Sequence, residues 1–277
     1  MTDKIETING SVIQHGHHND RIYLMRLNPC DVAGTLATVT KLAESNGYGK
    51  VFARIPLDTW PVFKSAGYHK EAVIPGFYRG QSDGLFVARY FSVQRQVLSN
   101  VKTVAHLPGE RNQAAPADNP ATGRTSLPVE MCTLADTIEM GSVFQQIFDS
   151  YPFPICDPAY LQQAMAGGVP YYCIRTGDGI TALAAAEIDR ECQTVEMTDF
   201  AILPAWRKYG MATALLRHME KETCKFGIKT AYTIARAASP GINRLFQGNG
   251  YQYAGLLINN TQISGRIQSM SVWYKQL

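Results

Sequence analysis

The most restrictive feature of this sequence is the run T-D-F-A-I-L-P-A-W-R-K-Y-G-M-A at residues 198–212. An apolar strand pattern ends there at a proline-containing turn, and a helix pattern over residues 210–226 begins. Gly227 is placed to end the helix, and a second strand pattern follows at residues 229–235. A strand, a helix and a strand joined by short connections form a parallel crossover unit, so the stretch predicts two neighbouring parallel strands with the helix across them.

The rest of the second half of the chain supplies further sheet patterns. A Gly-Asp-Gly turn at residues 177–179 joins two strand patterns into a hairpin. The remaining elements are predicted as strands at residues 171–175, 180–188, 195–203, 252–258 and 269–275, and a short helix at 242–247. This content predicts an α+β fold with a mixed sheet.

The organisation of the chain is predicted from a linker pattern and a weak internal repeat. Residues 99–127 are rich in Ala, Pro and Asn and have no apolar periodicity, which is typical of a linker between residues 1–98 and 128–277. Both flanking segments contain a helix, a strand and then F-x-x-x-G-Y, at residues 63–68 and 246–251. We therefore interpret residues 1–98 as a truncated second copy of the fold in the second half.

Composition excludes several classes of function. No window has the roughly 18 apolar residues of a membrane helix, and the N-terminus lacks a secretory pattern, so we expect a cytoplasmic protein that is not in a membrane. The net charge of +3 is spread along the chain, which argues against a nucleic-acid partner. The six cysteines have no C-x-x-C pair, so we expect buried reduced thiols and no metal site.

The R-x-x-G-x-A segment that opens the predicted helix has the chemistry of an anion site. The first turn of a helix has N–H groups without helical partners and a partial positive charge, and glycine allows a diphosphate to come close to the backbone. Arg207 adds a full positive charge beside Gly210. The segment therefore predicts a loop that binds a pyrophosphate.

In this context, R-x-x-G-x-A resembles the Q/R-x-x-G-x-G/A signature of the Gcn5-related N-acetyltransferase (GNAT) superfamily, with Ala212 where glycine is common. The resemblance covers residues 128–277. Three longer segments are similar to the β-lysine N-acetyltransferase family. They are G-I-K-T-A-Y-T-I-A-R-A at residues 227–237, L-I-N-N-T-Q-I-S-G at 257–265, and residues 267–275.

The resemblance implies a central, mostly antiparallel mixed sheet flanked by helices, with acetyl-coenzyme A as cosubstrate. It implies transfer of an acetyl group to the ε-amine of β-lysine, a small-molecule acceptor, giving N-ε-acetyl-β-lysine as a compatible solute. Cofactor contacts are expected from the backbone N–H groups near Ala201, Ile202 and Leu203 and from the pyrophosphate loop Arg207, Lys208, Tyr209, Gly210, Met211 and Ala212.

A proton acceptor is needed because a lysine-type ammonium, with a reference pKa near 10.4, must lose a proton before it attacks. The resemblance implies a carboxylate on the strand before the loop, and Glu196 and Asp199 match. They have opposite parity on a regular strand, so only one should face the amine unless a bulge intervenes, and we favour Glu196.

The other site residues are less clearly indicated. Many superfamily members place a tyrosine that protonates the departing thiolate at the position of Phe246, so that acid is missing or supplied elsewhere, with Tyr232 and Tyr253 as candidates. A substrate with two amines and a carboxylate needs acidic and basic groups. The candidates for these contacts are Asp157, Glu187, Arg236 and Asn259, with Asn260 and Ser264 as polar partners.

Several alternatives stay open at this point. The first half lacks the Arg and the glycine spacing of the loop, so we expect it to bind no coenzyme A and to contribute packing, homodimer contacts or a wall of the substrate pocket. The loop does not encode the acceptor, which could be another small amine or a protein amine. The missing tyrosine also allows a non-catalytic acetyl-coenzyme A sensor.

Overall fold

The computed structural model describes residues 3–98, 107, 128–177 and 179–277. The predicted linker, apart from Leu107, lies outside the described residues, as does Asp178 of the predicted Gly-Asp-Gly turn. The first half contains, in chain order, β1 Lys4–Ile8, β2 Ser11–Gly16, β3 Arg21–Arg26, α1 Val32–Asn46, β4 Lys50–Pro56, α2 Trp60–Ser65, β5 His69–Tyr78, β6 Ser82–Tyr90 and α3 Val93–Gln96.

The second half begins with a short strand and two helices that precede the predicted hairpin. Its elements are β7 Glu130–Met131, α4 Thr137–Ile147, α5 Pro158–Ala166, β8 Tyr171–Thr176, β9 Gly179–Asp189, β10 Thr194–Ile202, α6 Met211–Cys224, β11 Thr230–Arg236, α7 Pro240–Gly248, β12 Gln252–Ile263 and β13 Arg266–Gln276. Every strand and helix predicted in this half is present, and the bounds differ most at the β12–β13 hairpin, which extends further on both sides of its turn.

The described strands form one 13-stranded sheet in the order β1-β2-β3-β4-β6-β5-β12-β13-β11-β10-β9-β8-β7. Two neighbouring pairs are parallel, β3 with β4 and β10 with β11, and the other pairs are antiparallel. This arrangement confirms the α+β fold with a mixed, mostly antiparallel sheet. Each parallel pair is joined by a crossover helix, α1 in the first half and α6 in the second, as the connection rules require.

The two halves have the same element order around these crossovers. In each, an antiparallel hairpin leads into the crossover, a short helix follows, and two antiparallel strands close the half. The halves meet where β5 pairs with β12 at Ala72 and Gly255. The interpretation of residues 1–98 as a degenerate domain of the same family stays a prediction, and the repeated order supports it.

Apolar packing covers the sheet within each half and also between the halves. Three clusters of buried side chains each lie within a single half of the chain. A fourth joins Phe52, Phe77 and Phe86 of the first half to Leu257 and Val272 of the second. Burial of this shared cluster fixes the halves relative to each other.

A buried polar network crosses the same junction. Lys50 is fully buried, and its Nζ donates to a Glu71 carboxylate oxygen at 2.8 Å and to the Ile258 carbonyl oxygen at 2.8 Å. The Ile258 N–H donates to the same carboxylate. Burial lowers the pKa of Lys50 to about 8, and Glu71 opposes that shift. The network ties β4 and β5 of one half to β12 of the other.

All six cysteines are free thiols. Cys132 and Cys173 are buried as expected, but Cys30, Cys156 and Cys224 are exposed, so the expectation of burial is wrong for these three. Among the described residues, no helix is both long and apolar enough to span a membrane.

Candidate active site

The predicted pyrophosphate loop lies between the end of β10 and the start of α6. Lys208 and Gly210 have φ values of 71° and 80°, so the backbone turns sharply just before the helix. Of the described residues, none caps the start of α6 with a side chain. The first N–H groups of α6 therefore face an exposed loop, which is the arrangement that binds a diphosphate.

Arg207 lies at the outer edge of this loop. Its Nε is 3.4 Å from the carbonyl oxygen of Ile202, so its guanidinium stands beside the last residue of β10. Residues 207–210 are exposed, and an anion can reach them from solvent. The loop fits the pyrophosphate of a coenzyme A molecule.

One edge of β10 opens toward the cavity. β10 pairs with β11 only from Thr194 to Glu196, although both strands continue beyond that point. The Leu203 N–H donates to the Thr181 carbonyl oxygen at 2.9 Å, so it faces β9. Because consecutive N–H groups point to opposite sides of a strand, the Ile202 N–H faces the gap, while those of Ala201 and Leu203 face β9. Of the three predicted backbone positions, Ile202 is the one turned toward the open edge.

A β-bulge interrupts β10 between Thr198 and Ala201. Asp199 has a φ of 57°, in the left-handed region that a non-glycine residue seldom adopts. The bulge changes the parity of the strand, and Asp199 and Glu196 line the same cavity. The sequence predicted that only one of the two carboxylates would face the site unless a bulge intervened. The bulge is present, and both carboxylates line the cavity.

The cavity has a volume of about 650 Å³ and lies between the two halves of the chain. The first half contributes side chains of β3 and β4, and the second contributes β9 to β13 and the segment between α4 and α5, including Tyr151 and Phe153. Its charged lining residues are the acids Glu187, Asp189, Glu191, Glu196 and Asp199 and the bases Arg21, Arg26, Arg54 and Arg190.

Glu187 and Glu196 are directly opposite each other on β9 and β10. Burial among protein atoms raises the pKa of both carboxyls, and repulsion from neighbouring carboxylates adds to the rise. Glu187 is nevertheless exposed to the space of the cavity, so water or a ligand reaches it. Two close carboxylates at this place favour a bound cation.

Glu196 is at the end of a polar chain that crosses the junction of the halves. Arg54 on β4 donates from Nη1 to the Tyr232 hydroxyl at 2.8 Å. The Tyr232 hydroxyl and the Ile234 N–H donate to Glu196, which lowers its pKa against the larger effect of burial. Burial raises the pKa of Tyr232 well above its ordinary value, so this phenol stays protonated as a donor.

Asp199 is held by two other phenols. The Tyr151 hydroxyl donates to Oδ1 at 2.7 Å, and the Tyr171 hydroxyl is 3.4 Å from Oδ2. Burial raises the pKa of Asp199, and these hydrogen bonds oppose the rise. Both carboxylate oxygens of Asp199 are thus occupied by protein donors.

Of the four predicted substrate contacts, Glu187 alone lines the cavity. Asp157 caps α5 by accepting from the Ala159 N–H at 2.9 Å. Arg236 donates to the Ser264 hydroxyl at 2.9 Å. The Asn259 amide donates to the Arg95 carbonyl oxygen at 3.0 Å, and these three side chains lie outside the cavity lining.

The structure also shows where the residue at the usual general-acid position lies, and where the two tyrosines proposed to replace it lie. Phe246 is fully buried against Phe200 and Tyr251. Tyr253 packs on Trp273 and is not part of the cavity lining, whereas Tyr232 is. In the described part of the chain, no cluster of His, Cys, Asp or Glu is arranged to hold a metal ion.

Sequence reasoning expected a wall of the substrate pocket as one of three roles for the first half, but it named none of the residues of β3 and β4 that form this wall. Arg21 and Tyr23 alternate with the core residues Ile22 and Leu24, and Arg54 follows the same alternation on β4. A strand that alternates buried apolar residues with arginine indicates a polar face. That signal was present, but the sequence does not reveal that the face turns toward the other half.

The fold agrees with comparisons to known proteins. The acetyltransferase (GNAT) family model matches residues 139–251. The chain is 33% identical over 283 aligned residues to a β-lysine N(6)-acetyltransferase from Methanococcus maripaludis, covering 99% of this chain and 98% of that one.

Two further relatives match over nearly the whole length. The N-acetyltransferase YodP from Bacillus subtilis is 29% identical, covering 96% of each chain. A β-lysine N(6)-acetyltransferase from Methanosarcina mazei is 26% identical, covering 89% of this chain and 97% of the relative. The likeness thus includes the first half of the chain as well as the half that contains the pyrophosphate loop.

Proposed function

Because the chain belongs to the β-lysine N(6)-acetyltransferase family of the GNAT acetyltransferases, we propose that it transfers the acetyl group of acetyl-coenzyme A to the ε-amine of β-lysine. The product is N-ε-acetyl-β-lysine and free coenzyme A. The observation that carries this proposal is the set of carboxylates that line the cavity, Glu187, Glu196 and Asp199, beside the open edge of β10.

The position of Glu196 supports its role as proton acceptor. It is the last residue of β10 that pairs with β11, so it stands where the gap between the strands begins. A thioester arm that follows the open edge from the loop at Gly210 would end near this carboxylate. Its raised pKa brings it closer to that of the ammonium it must deprotonate.

The proposed reaction uses these groups in one transfer. The ε-ammonium gives a proton to Glu196, and the neutral nitrogen attacks the thioester carbonyl, whose C–S bond breaks as the thiolate leaves with its electron pair. The departing thiolate takes up a proton from Tyr232, the phenol hydrogen-bonded to Glu196, and the attacking nitrogen gives its second proton back to that phenolate. Alignment of both substrates supplies much of the rate.

Asp199 fits a different role. Its two oxygens accept from Tyr151 and Tyr171, which leaves less capacity for an incoming ammonium proton. We propose that it holds Tyr151 in the wall of the cavity and adds negative charge to the acceptor site. The predicted cofactor contacts at residues 201–203 and 207–212 remain part of the proposal, with the Ile202 N–H and the loop as its centre.

The cavity volume supports a small acceptor. About 650 Å³ lies within the ordinary range for small-molecule sites. The first half forms one wall of it, which is the third of the roles expected for residues 1–98. Homodimer formation is not needed for this wall, and a sedimentation experiment would test that separate prediction.

The chemistry of the product supports a role as a compatible solute in the cytoplasm. β-Lysine has two ammonium groups and one carboxylate at neutral pH, so acetylation of one amine leaves a molecule with no net charge. Such a solute can accumulate without counter-ions. Loss of the gene should then abolish salt-induced accumulation of the ε-acetylated product in the source cell.

The decisive experiment measures thiol release from acetyl-coenzyme A by the purified chain. β-Lysine, α-lysine, a polyamine and a lysine-containing peptide are compared at equal concentration, and mass spectrometry locates the acetyl group. Preference for β-lysine with acetylation at the ε-nitrogen is the expected result. Preference for the peptide or polyamine would replace the acceptor, and acetyl-coenzyme A binding without turnover of any amine would indicate the sensor.

A further inference from the structure

Arg21 is a buried cation on the wall that the first half contributes to the cavity. Its side chain is 4% exposed. Nη1 donates to the Asn260 carbonyl oxygen at 2.6 Å and to the Thr261 hydroxyl at 3.0 Å. These two acceptors are neutral, and they position the guanidinium without neutralising it.

The rest of this guanidinium lies over the Tyr23 and Phe52 rings, whose centroids are 5.4 and 5.7 Å from Cζ. Within the described residues, its Nε is buried without a hydrogen bond, and no carboxylate forms an ion pair with it. Burial lowers the pKa of Arg21 to about 10, so it remains charged at neutral pH. An unpaired buried charge is strongly unfavourable, and an anionic ligand would offset that cost.

Arg54, which lies on the same wall and whose side chain is 14% exposed, is already balanced. It binds the Tyr232 hydroxyl and lies 3.6 Å from an Asp189 carboxylate oxygen. Arg54 also lowers the pKa of Glu187 and Glu196, whereas the largest charge effect on the pKa of Arg21 comes from Arg95, followed by Tyr23, Asp3 and Glu71.

A second unpartnered group lies next to Arg21. The Asn260 side chain is 1% exposed, lines the cavity, and has an Oδ1 that accepts no hydrogen bond from the described residues. The cavity therefore offers an anion-binding guanidinium and a neutral acceptor at one place and a group of carboxylates at another. A molecule with a carboxylate and a nearby amine at one end and an amine at the other matches this pattern.

We propose, building on the acyl transfer described above, that Arg21 binds the carboxylate of the amino-acid acceptor while Asn260 accepts a hydrogen bond from the neighbouring ammonium. This subsite presents the far amine to Glu196. The first half of the chain thereby selects which amine is acetylated. It also disfavours polyamines, because they leave Arg21 without an anion.

The first test changes the substrate and leaves the protein intact. β-Lysine is compared with its primary amide and with 1,4-diaminopentane, which lacks the carboxyl group. We expect kcat/KM to fall roughly 10- to 100-fold for both analogues, the range expected when a charged hydrogen bond is lost. Equal kcat/KM for β-lysine and its amide would overturn the subsite, whereas no turnover of β-lysine would overturn the proposed function as well.

The second test removes the guanidinium. Arg21→Gln should raise KM for β-lysine roughly 10- to 100-fold, while kcat/KM for the amide changes by less than about threefold. The ratio between acetylation of the ε-nitrogen and that of the other amine should fall. Arg89→Gln, an arginine of β6 outside the cavity lining, is the matched control and should keep the wild-type preference for β-lysine over the amide.

The variants also distinguish this subsite from its neighbours. Arg26 lines the cavity on the same strand but is exposed. If Arg26→Gln abolishes the preference for β-lysine and Arg21→Gln retains it, the carboxylate binds elsewhere and the proposal is wrong. Circular dichroism checks that each variant is folded, and the analogue series on the intact protein decides the question if Arg21→Gln does not fold.

Discussion

The two crossover helices of this chain begin in chemically opposite ways. At the start of α1, Asp31 accepts from the Gly34 N–H at 3.0 Å and from the Asn9 amide at 3.0 Å. At the start of α6, the corresponding position is Gly210, with a left-handed backbone and no capping side chain. A carboxylate at α1 already uses the positive end of the helix, whereas the end of α6 is open to an external anion.

The parallel strand pairs next to these helices also differ in chemistry between the two halves. In the first half, the parallel register places Tyr23 opposite Phe52, and their ring centroids are 4.7 Å apart. In the second half it places Glu196 opposite Tyr232. The same geometry therefore supplies an aromatic wall in one half and a proton acceptor with a phenol in the other. The comparison shows how one arrangement of elements can be divided between substrate binding and chemistry.

The largest expected effect comes from making Glu196 neutral. Glu196→Gln should lower kcat by about 100- to 10,000-fold, the usual contribution of a general base, while KM for acetyl-coenzyme A changes little. In the wild type, kcat/KM should fall as the pH drops through the raised pKa of Glu196, because the carboxyl must be ionised to accept a proton. Steady-state kinetics across pH measures both.

Glu187→Gln is the informative partner variant for this prediction. Glu187 faces Glu196 across the strand pair and has no assigned proton transfer, so its loss should act mainly on KM for the amine. If Glu187→Gln lowers kcat as strongly as Glu196→Gln does, the assignment of the base is wrong.

The next effect tests the contrast between the helix starts. Gly210→Asp gives α6 the carboxylate that α1 has, and it should raise KM for acetyl-coenzyme A roughly 100-fold through repulsion of the pyrophosphate and strain at a φ of 80°. Gly210→Asn has the same shape without the charge and tolerates this backbone conformation better than most residues. Cofactor titration of both variants separates charge from strain.

Equal losses in the Asp and Asn variants would mean that backbone shape, and not the open positive end of α6, distinguishes the two helices. A loss confined to kcat for the amine would place the pyrophosphate elsewhere.

A smaller effect concerns the junction of the halves. Gly255 has a φ of 150° and pairs with Ala72, and a Cβ on it would lie 2.1 Å from the Glu71 carbonyl oxygen. Gly250 also has a positive φ, of 84°, but a Cβ there meets no heavy atom within 4 Å. Gly255→Ala should therefore destabilise the fold by about 2 kcal/mol more than Gly250→Ala, measured by urea unfolding.

Activity in folded Gly255→Ala protein sharpens this result. The junction positions the wall that contains Arg21 and Arg54, so KM for the amine should rise with little change in KM for acetyl-coenzyme A. Unchanged kinetics would mean that the halves work independently of their shared sheet.

The crossover unit, the loop and most strands of the second half could be predicted because each depends on local patterns. Helical spacing, a terminal glycine and alternating strands express short-range physics. The loop at Gly210 is such a feature, and so is the position of Glu196 at the strand before it.

The acceptor site could not be predicted in the same way because it depends on contacts distant in sequence. Arg54 reaches Tyr232 over 178 residues, and Arg21 reaches Asn260 over 239. Arg236 was a reasonable choice for the basic group, yet its side chain binds Ser264 outside the cavity lining. The charges of the substrate predict that a basic side chain lies in the acceptor site. Only the pairing of the two halves reveals which arginines line this site.

The smallest predicted effect is on stability and comes from the same carboxylate. The folded-state pKa of Glu196 is raised, so the native state binds a proton more tightly than the unfolded chain, and stability falls as pH rises from about 4.3 through the folded pKa. Glu196→Gln removes this loss and should stabilise the protein by about 1 kcal/mol at pH 8, with little difference near pH 4. Tyr23→Phe, at the matching position of the first half, should show no such pH-dependent difference, since its hydroxyl does not ionise in this range. Urea unfolding at both pH values measures the difference, and a Glu196→Gln variant that is less stable at pH 8 would mean that the carboxylate holds the two strands together more strongly than its burial opposes them.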